Sequence, residues 1–192
     1  MRKGITLQEW YEAAENQAAA IHADVNQMYD TWSYRVHIAA VADVASKYLK
    51  NYPDEDHIAI LMGALFHDTI EDARLTYNDV LAYAKKLKLD AREAKIAAEI
   101  VYALTNEKGR TRAERANERY YEGIRETPYA PFVKLCDRFA NMSYATRAQS
   151  SMCKKYRQEW PHFIESITSQ GNDSRMSLPD GLIQDVIRLT ID

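Results

Sequence analysis

Apolar residues recur at helical spacing along almost the whole chain. Thr6 and Glu9 form a capping-box pair, after which Leu7, Trp10, Tyr11, Ala14, Gln17, Ala18 and Ile21 make a mostly apolar stripe. The stretch 31–49 (TWSYRVHIAAVADVASKYL) predicts a second helix, and 54–68 (DEDHIAILMGALFHD) a third. Residues 58–66 of the third are apolar nearly all round, the mark of a helix central to its domain. Two amphipathic helices follow, opened by Thr76 with Asp79 and by Asp90 with Glu93. The charged segment 111–126 predicts a partly exposed helix. Residues 129–145 predict a mostly buried one, with Pro131 tolerated in its first turn. Segments 153–167 and 179–190 predict the last two helices, separated by a loop over 168–177. No alternating strand pattern persists, and no repeat or low-complexity tract is present. The expectation is an all-α fold forming one compact domain over 1–192.

Composition narrows this picture. At 192 residues and 46% hydrophobic the chain can bury a sizeable core. A formal charge of −3 lacks the strongly basic balance of a nucleic-acid binder, so no nucleic-acid partner is expected. Cys136 and Cys153 have no metal-type spacing and read as free thiols of a cytoplasmic protein. The N-terminal stretch has two basic residues but no apolar core, so no secretory leader is expected. No run reaches the ~20 apolar residues of a membrane span. The oligomeric state is not legible.

The chemistry lies where polar groups interrupt apolar helices. The third helix ends in His67 and Asp68, with Glu71 and Asp72 one turn on. The pairs His67/Glu71 and Asp68/Asp72 are four apart, which brings each pair to one face if the helix continues. In PFVKLCDRFANM the interruption is Asp137, beside Arg138 and four residues before Asn141. In SYRVHIAAVA it is His37. Buried carboxylates are costly unless paired or bound to a cation. Imidazole nitrogens and carboxylate oxygens are ligands for Zn²⁺, Mn²⁺ or Fe²⁺. Taken singly, each residue has a simpler reading. His22, His57 and His162 fit hydrogen-bonded core histidines, Asp68 or Asp72 a helix cap, and Asp137 with Arg138 an ionic pair. Three core-type helices each carrying an unexplained acid or imidazole favour a shared metal site.

The words around these residues resemble one family. HIAAVA is similar to H-P-x-x-V-A, GALFHDTIED to A-A-L-L-H-D-x-x-E-D, and VKLCDRFANM to x-K-L-A-D-R-x-x-N-M. This order resembles the HD superfamily of metal-dependent phosphohydrolases, and most closely the guanosine tetraphosphate hydrolases: the hydrolase domain of Rel/Spo enzymes and the small alarmone hydrolases. The resemblance covers about residues 15–150 and leaves the C-terminal helices, about 151–192, outside it. It implies a compact helical HD fold. It implies that His37, His67, Asp68 and Asp137 hold one Mn²⁺, and that Glu71 and Asp72 position and activate water. It implies that Asn141 contacts the nucleoside, that Arg138 pairs with a site carboxylate or phosphate, and that Tyr34 matches the tyrosine preceding the first histidine. The implied reaction removes pyrophosphate from the 3′ position. The length leaves no room for a synthetase domain, so hydrolysis without synthesis is expected.

Three positions depart from the pattern. Ile38 replaces proline and Cys136 replaces alanine. The usual basic, glycine-containing loop before the first histidine is NQMYDTWSYRVH, with Met28, Tyr29 and Trp32 on a more apolar rim. That rim leaves another nucleotide substrate, or a non-catalytic nucleotide-binding or protein-binding module, as alternatives. Lys134 shares a helix face with Asp137 and is a candidate phosphate contact. Lys108, Arg110, Arg112 and Arg115 could form a basic lid, or with Glu107 and Glu114 a solvated helix start.

Overall fold

The computed structural model describes residues 4–106 and 109–191, and the side chains of Arg112 and Ala113 are also outside the described set. The fold is all-α apart from one short hairpin. Its elements are α1 (Leu7–Asp24), β1 (Met28–Tyr29), β2 (Trp32–Ser33), α2 (Arg35–Tyr48), α3 (His57–Phe66), α4 (Tyr77–Lys86) and α5 (Ala91–Leu104). Then come α6 (Arg112–Arg115), α7 (Glu118–Glu126), α8 (Ala130–Arg147), α9 (Met152–Ile167) and α10 (Asp180–Ile191). No helix among the described residues is long and apolar enough to cross a membrane.

Local sequence sets several helix starts. Thr6 with Glu9, Thr76 with Asp79 and Asp90 with Glu93 form the three expected capping boxes, at the heads of α1, α4 and α5. Pro131 lies in the first turn of α8, where its missing N–H leaves no helical bond unmade. The charged segment breaks into two helices because the Asn117 side chain accepts from Tyr120 N–H and caps α7 anew. Tyr120, Tyr121 and Ile124 then bury one face of α7.

The apolar helix α3 is central, as its pattern predicts, and every residue from Ala59 to Phe66 is buried. It packs between α2 and α5, and α2 in turn lies on α8. Gly63 permits the closest approach: a Cβ there would lie 2.8 Å from Ile100 of α5. Each fully buried Leu, Ile or Phe of this core contributes about 1.5–3 kcal/mol. These helices bring His37, His67 and Asp137 together from α2, the end of α3 and α8.

The hairpin is the element the sequence pattern did not announce, and it takes Trp32 and Ser33 out of the helix expected over 31–49, which begins only at Arg35. Met28 pairs with Ser33 and Tyr29 with Trp32, and Asp30 turns the chain with φ 56°. Two-residue strands are too short to show an alternating pattern. Among the three histidines expected to be hydrogen-bonded core residues, His57 is hydrogen-bonded but only half-buried, its Nε2 lying 3.0 Å from Tyr52 O. His22 is buried without a hydrogen-bond partner, its ring centroid 4.3 Å from that of Tyr34. His162 is exposed and lines a cleft.

Candidate metal centre and cleft

Helix α3 stops at Phe66, but its path does not straighten there. Thr69 Oγ1 donates to Phe66 O at 2.8 Å, and Asp72 N–H donates to Asp68 O at 2.8 Å. This helix-like turn keeps Asp68 and Asp72 on one side, as the four-residue spacing required. Arg74, with φ 60°, ends the turn.

His37 and His67 point their Nε2 atoms at each other across 3.3 Å. Asp137 Oδ1 lies 3.4 Å from His37 Nε2 and 3.9 Å from His67 Nε2. Asp68 Oδ2 lies 2.9 Å from His67 Nε2 and 3.7 Å from His37 Nε2. Ligand atoms of His37, His67 and Asp137 fall within 4.8 Å of one another, a grouping that could hold a metal ion. Asp68 adjoins both imidazoles. The surrounding bonds suit that use. His67 Nδ1 lies 2.9 Å from Ala64 O and so carries a proton, which leaves Nε2, facing the cluster, as the nitrogen that can ligate once deprotonated. Two nitrogens and two carboxylate oxygens form a donor set fitting a borderline or hard divalent cation.

The electrostatics also favour a cation here. Burial alone would lower the pKa of His67, but Asp68 and Asp137 outweigh it and push it up to about 9. Burial opposes ionisation of Asp137, yet Lys134, His37 and His67 hold its carboxyl well below the usual range. Asp72 shifts the other way. Burial, then the charges of Asp68 and Glu71, raise it to about 6.

The cluster opens into a cleft of about 870 Å³, lined by Glu71, Asp72, Lys134, Asn141 and residues of α7 and α9. Both water-handling candidates are held by amides that sequence reading did not single out. Asn106 Nδ2 donates to both oxygens of Glu71 at 2.8 Å, and Gln27 Nε2 donates to Asp72 Oδ2 at 3.1 Å. No sequence spacing links residues 35 or 45 positions apart.

The other candidates take specific places. Tyr34 donates to Asp68 Oδ2 at 2.5 Å. Lys134 Nζ donates to Asp137 Oδ2 at 3.0 Å, and its half-buried ammonium lies 5.8 Å from the Tyr120 ring centroid. Asn141 Nδ2 donates to Asp137 Oδ1 at 2.5 Å. Arg138 pairs with Glu159 of α9 at 3.0 Å, with its guanidinium 4.1 Å from the Phe163 ring centroid. Arg115 lines the cleft, whereas Glu107, Lys108 and the Arg112 side chain lie outside the described residues. Arg110 N–H donates to Glu114, the helix-start pattern.

An all-α fold that gathers two histidines and an aspartate where they could hold a metal ion, with Asp68 beside them, fits the metal-dependent phosphohydrolases of the HD type. The HD domain family model matches residues 34–142, more than half of the chain, and the chain belongs to that family. No curated protein matches it in sequence. A solved structure, described as a metazoan orthologue of SpoT that hydrolyses ppGpp and plays a role in starvation responses, is similar in fold. The likeness covers 97% of this chain and 96% of that one, with a TM-score of 0.64 and 18% identity.

Proposed function

We propose that this chain, one HD-type hydrolase domain over 1–192, is a cytoplasmic Mn²⁺-dependent hydrolase. Its reaction removes the 3′-pyrophosphate from the guanosine alarmones ppGpp and pppGpp, yielding GDP and GTP. The carrying observation is the placement of Glu71 and Asp72 on the cleft wall beside the His–Asp cluster. A module that only bound nucleotide would have no use for two further acids there.

His37, His67, Asp68 and Asp137 would hold the ion. When bound, Mn²⁺ would supply Lewis acidity and a water of lowered pKa. The chain's own groups do the rest. Glu71 and Asp72 orient a water and take its proton as its oxygen attacks the phosphorus bonded to the 3′ oxygen. That P–O bond breaks, pyrophosphate departs, and the 3′ oxygen is protonated. A carboxyl near pH 6, as Asp72 is, is ionised at neutrality yet basic enough to accept a proton. Lys134 and Arg138 supply positive charge along the cleft for phosphoryl oxygens, while Tyr34 and Asn141 offer polar contacts to the nucleoside.

The test is pyrophosphate release from a nucleotide panel by purified protein loaded with Mn²⁺. Release from ppGpp is expected, and full activity in metal-free protein would overturn the metal assignment. The second reading, hydrolysis of another nucleotide, is favoured by the hairpin that stands where the family has its basic loop, with Met28 and Trp32 53% and 58% exposed. Hydrolysis of a different nucleotide with none of ppGpp would select it. No hydrolysis across the panel would leave the chain a binding module.

A further inference from the structure

The hairpin that departs from the family's loop places one residue, Tyr29, against two of the cluster's holders. Its ring lies 4.7 Å from the His37 ring with an interplanar angle of 20°, a stacked contact. Its hydroxyl donates to Asn141 Oδ1 at 2.9 Å. Asn141 Nδ2 in turn donates to Asp137 Oδ1 at 2.5 Å and to Asp137 O at 3.1 Å.

The direction of this chain is forced. Asn141 Nδ2 lies 3.1 Å from the Asp137 backbone carbonyl, which can only accept, so the Asn141 NH₂ must face Asp137. That leaves Asn141 Oδ1 towards Tyr29, whose phenol must be the donor. Asp137 Oδ1 is the oxygen that approaches both imidazoles. The hairpin therefore reaches the cluster twice, by stacking on α2 and through Asn141 on α8. It is itself tied to α8 a second time, since Tyr144 donates to Asp30 Oδ2 at 2.9 Å. One lone pair of Asn141 Oδ1 remains for a substrate hydroxyl.

We infer that Tyr29 is a positioning residue of the metal centre, orienting Asp137 through Asn141 and fixing the plane of the His37 ring. Groups in hydrogen-bond contact with ligands set ligand direction and basicity, and losing one weakens metal binding by about 10–100-fold. The inference rests on the proposed metal assignment.

The test is Mn²⁺ affinity, measured by calorimetric titration of metal-free protein, alongside metal-free melting temperature. Tyr29→Phe keeps the ring and drops the hydroxyl, and it should weaken Mn²⁺ binding about 10-fold. Tyr29→Ala loses the stack as well and should approach about 100-fold. Asn141→Ala should match or exceed Tyr29→Phe, and the double variant should be no worse than Asn141→Ala alone, since both act on one path. Metal-free melting temperatures of Tyr29→Phe and wild type should agree within about 3 °C, which a purely structural role would not combine with lost affinity. Wild-type affinity in Tyr29→Phe, or additive effects in the double variant, would overturn the inference alone. Failure of the wild-type chain to bind Mn²⁺ would overturn the metal assignment and the inference with it.

Discussion

The cleft has two unlike ends. At the cluster, His37 and His67 are almost fully buried, Asp137 is 8% exposed, and each is fixed by a helix. Beside the cleft, the hairpin exposes Met28 and Trp32, and at its rim α6, which carries the cleft-lining Arg115, is a single turn. The cluster is positioned by core packing, which has little freedom to shift. The rim is positioned by a few hydrogen bonds at the surface, such as Tyr144 to Asp30, and bonds of that kind contribute about 1 kcal/mol each. Under the proposed function, the chemistry would sit on the rigid part and substrate choice on the part whose sequence can vary at small cost to the fold.

The largest effect should come from breaking the rigid end. Asp68→Ala or Asp137→Ala should lower bound Mn²⁺ well below one ion per chain and cut turnover by at least about 10³-fold. Metal content by elemental analysis checks the first part. Retention of a full equivalent of metal would remove that residue from the ligand set.

Next is the boundary between the two ends. Glu71→Gln should retain metal and lose about 10²–10⁴-fold in kcat, as expected for removal of a proton acceptor. The asymmetry between Glu71→Gln and Asp68→Ala in metal content is the sharpest way to separate water handling from metal holding.

Proton competition gives a smaller, graded effect. His67 must shed a proton before its Nε2 can ligate, and its pKa in the metal-free fold is raised to about 9. Apparent Mn²⁺ affinity should therefore climb between pH 6.5 and 9, with proton release visible as a buffer-dependent binding enthalpy. The same shift acts on metal-free stability. A raised folded-state pKa gives stability that is complete below the unfolded value near 6.5 and is lost as pH rises through about 9. Asp72 acts oppositely. Its folded pKa, near 6, exceeds the 3.8 of an ordinary aspartate, so it penalises the metal-free fold above pH 6 and that penalty fades as pH falls.

The smallest effect should come from the rim. Arg115→Ala removes one cation from the cleft wall and should raise KM about 3- to 10-fold with kcat nearly unchanged. A fall in kcat comparable to that of Glu71→Gln would erase the distinction between the ends.

Much of the helical frame was legible from residue order alone. The three capping boxes and the all-round apolar run at 58–66 each have local causes, and each appears in the structure where expected. His37, His67, Asp68 and Asp137 were marked by their types in apolar surroundings and by a resemblance. The roles of their neighbours were less legible. Lys134 and Arg138 are four residues apart on α8, yet Lys134 turns to Asp137 and Arg138 to Glu159. Only the position of α9 decides that split.

Residue order alone predicts most of the helical segments and marks candidate metal-type residues, because caps, periodicity and side-chain chemistry are local properties. Tertiary structure alone decided that Asn106 grips Glu71, that Gln27 reaches Asp72 and that Tyr29 braces Asn141 and His37. Those contacts join residues 8 to 112 positions apart, and no local pattern encodes them. They exist because α2, α3 and α8 pack around one apolar core and bring distant segments to the same few ångströms.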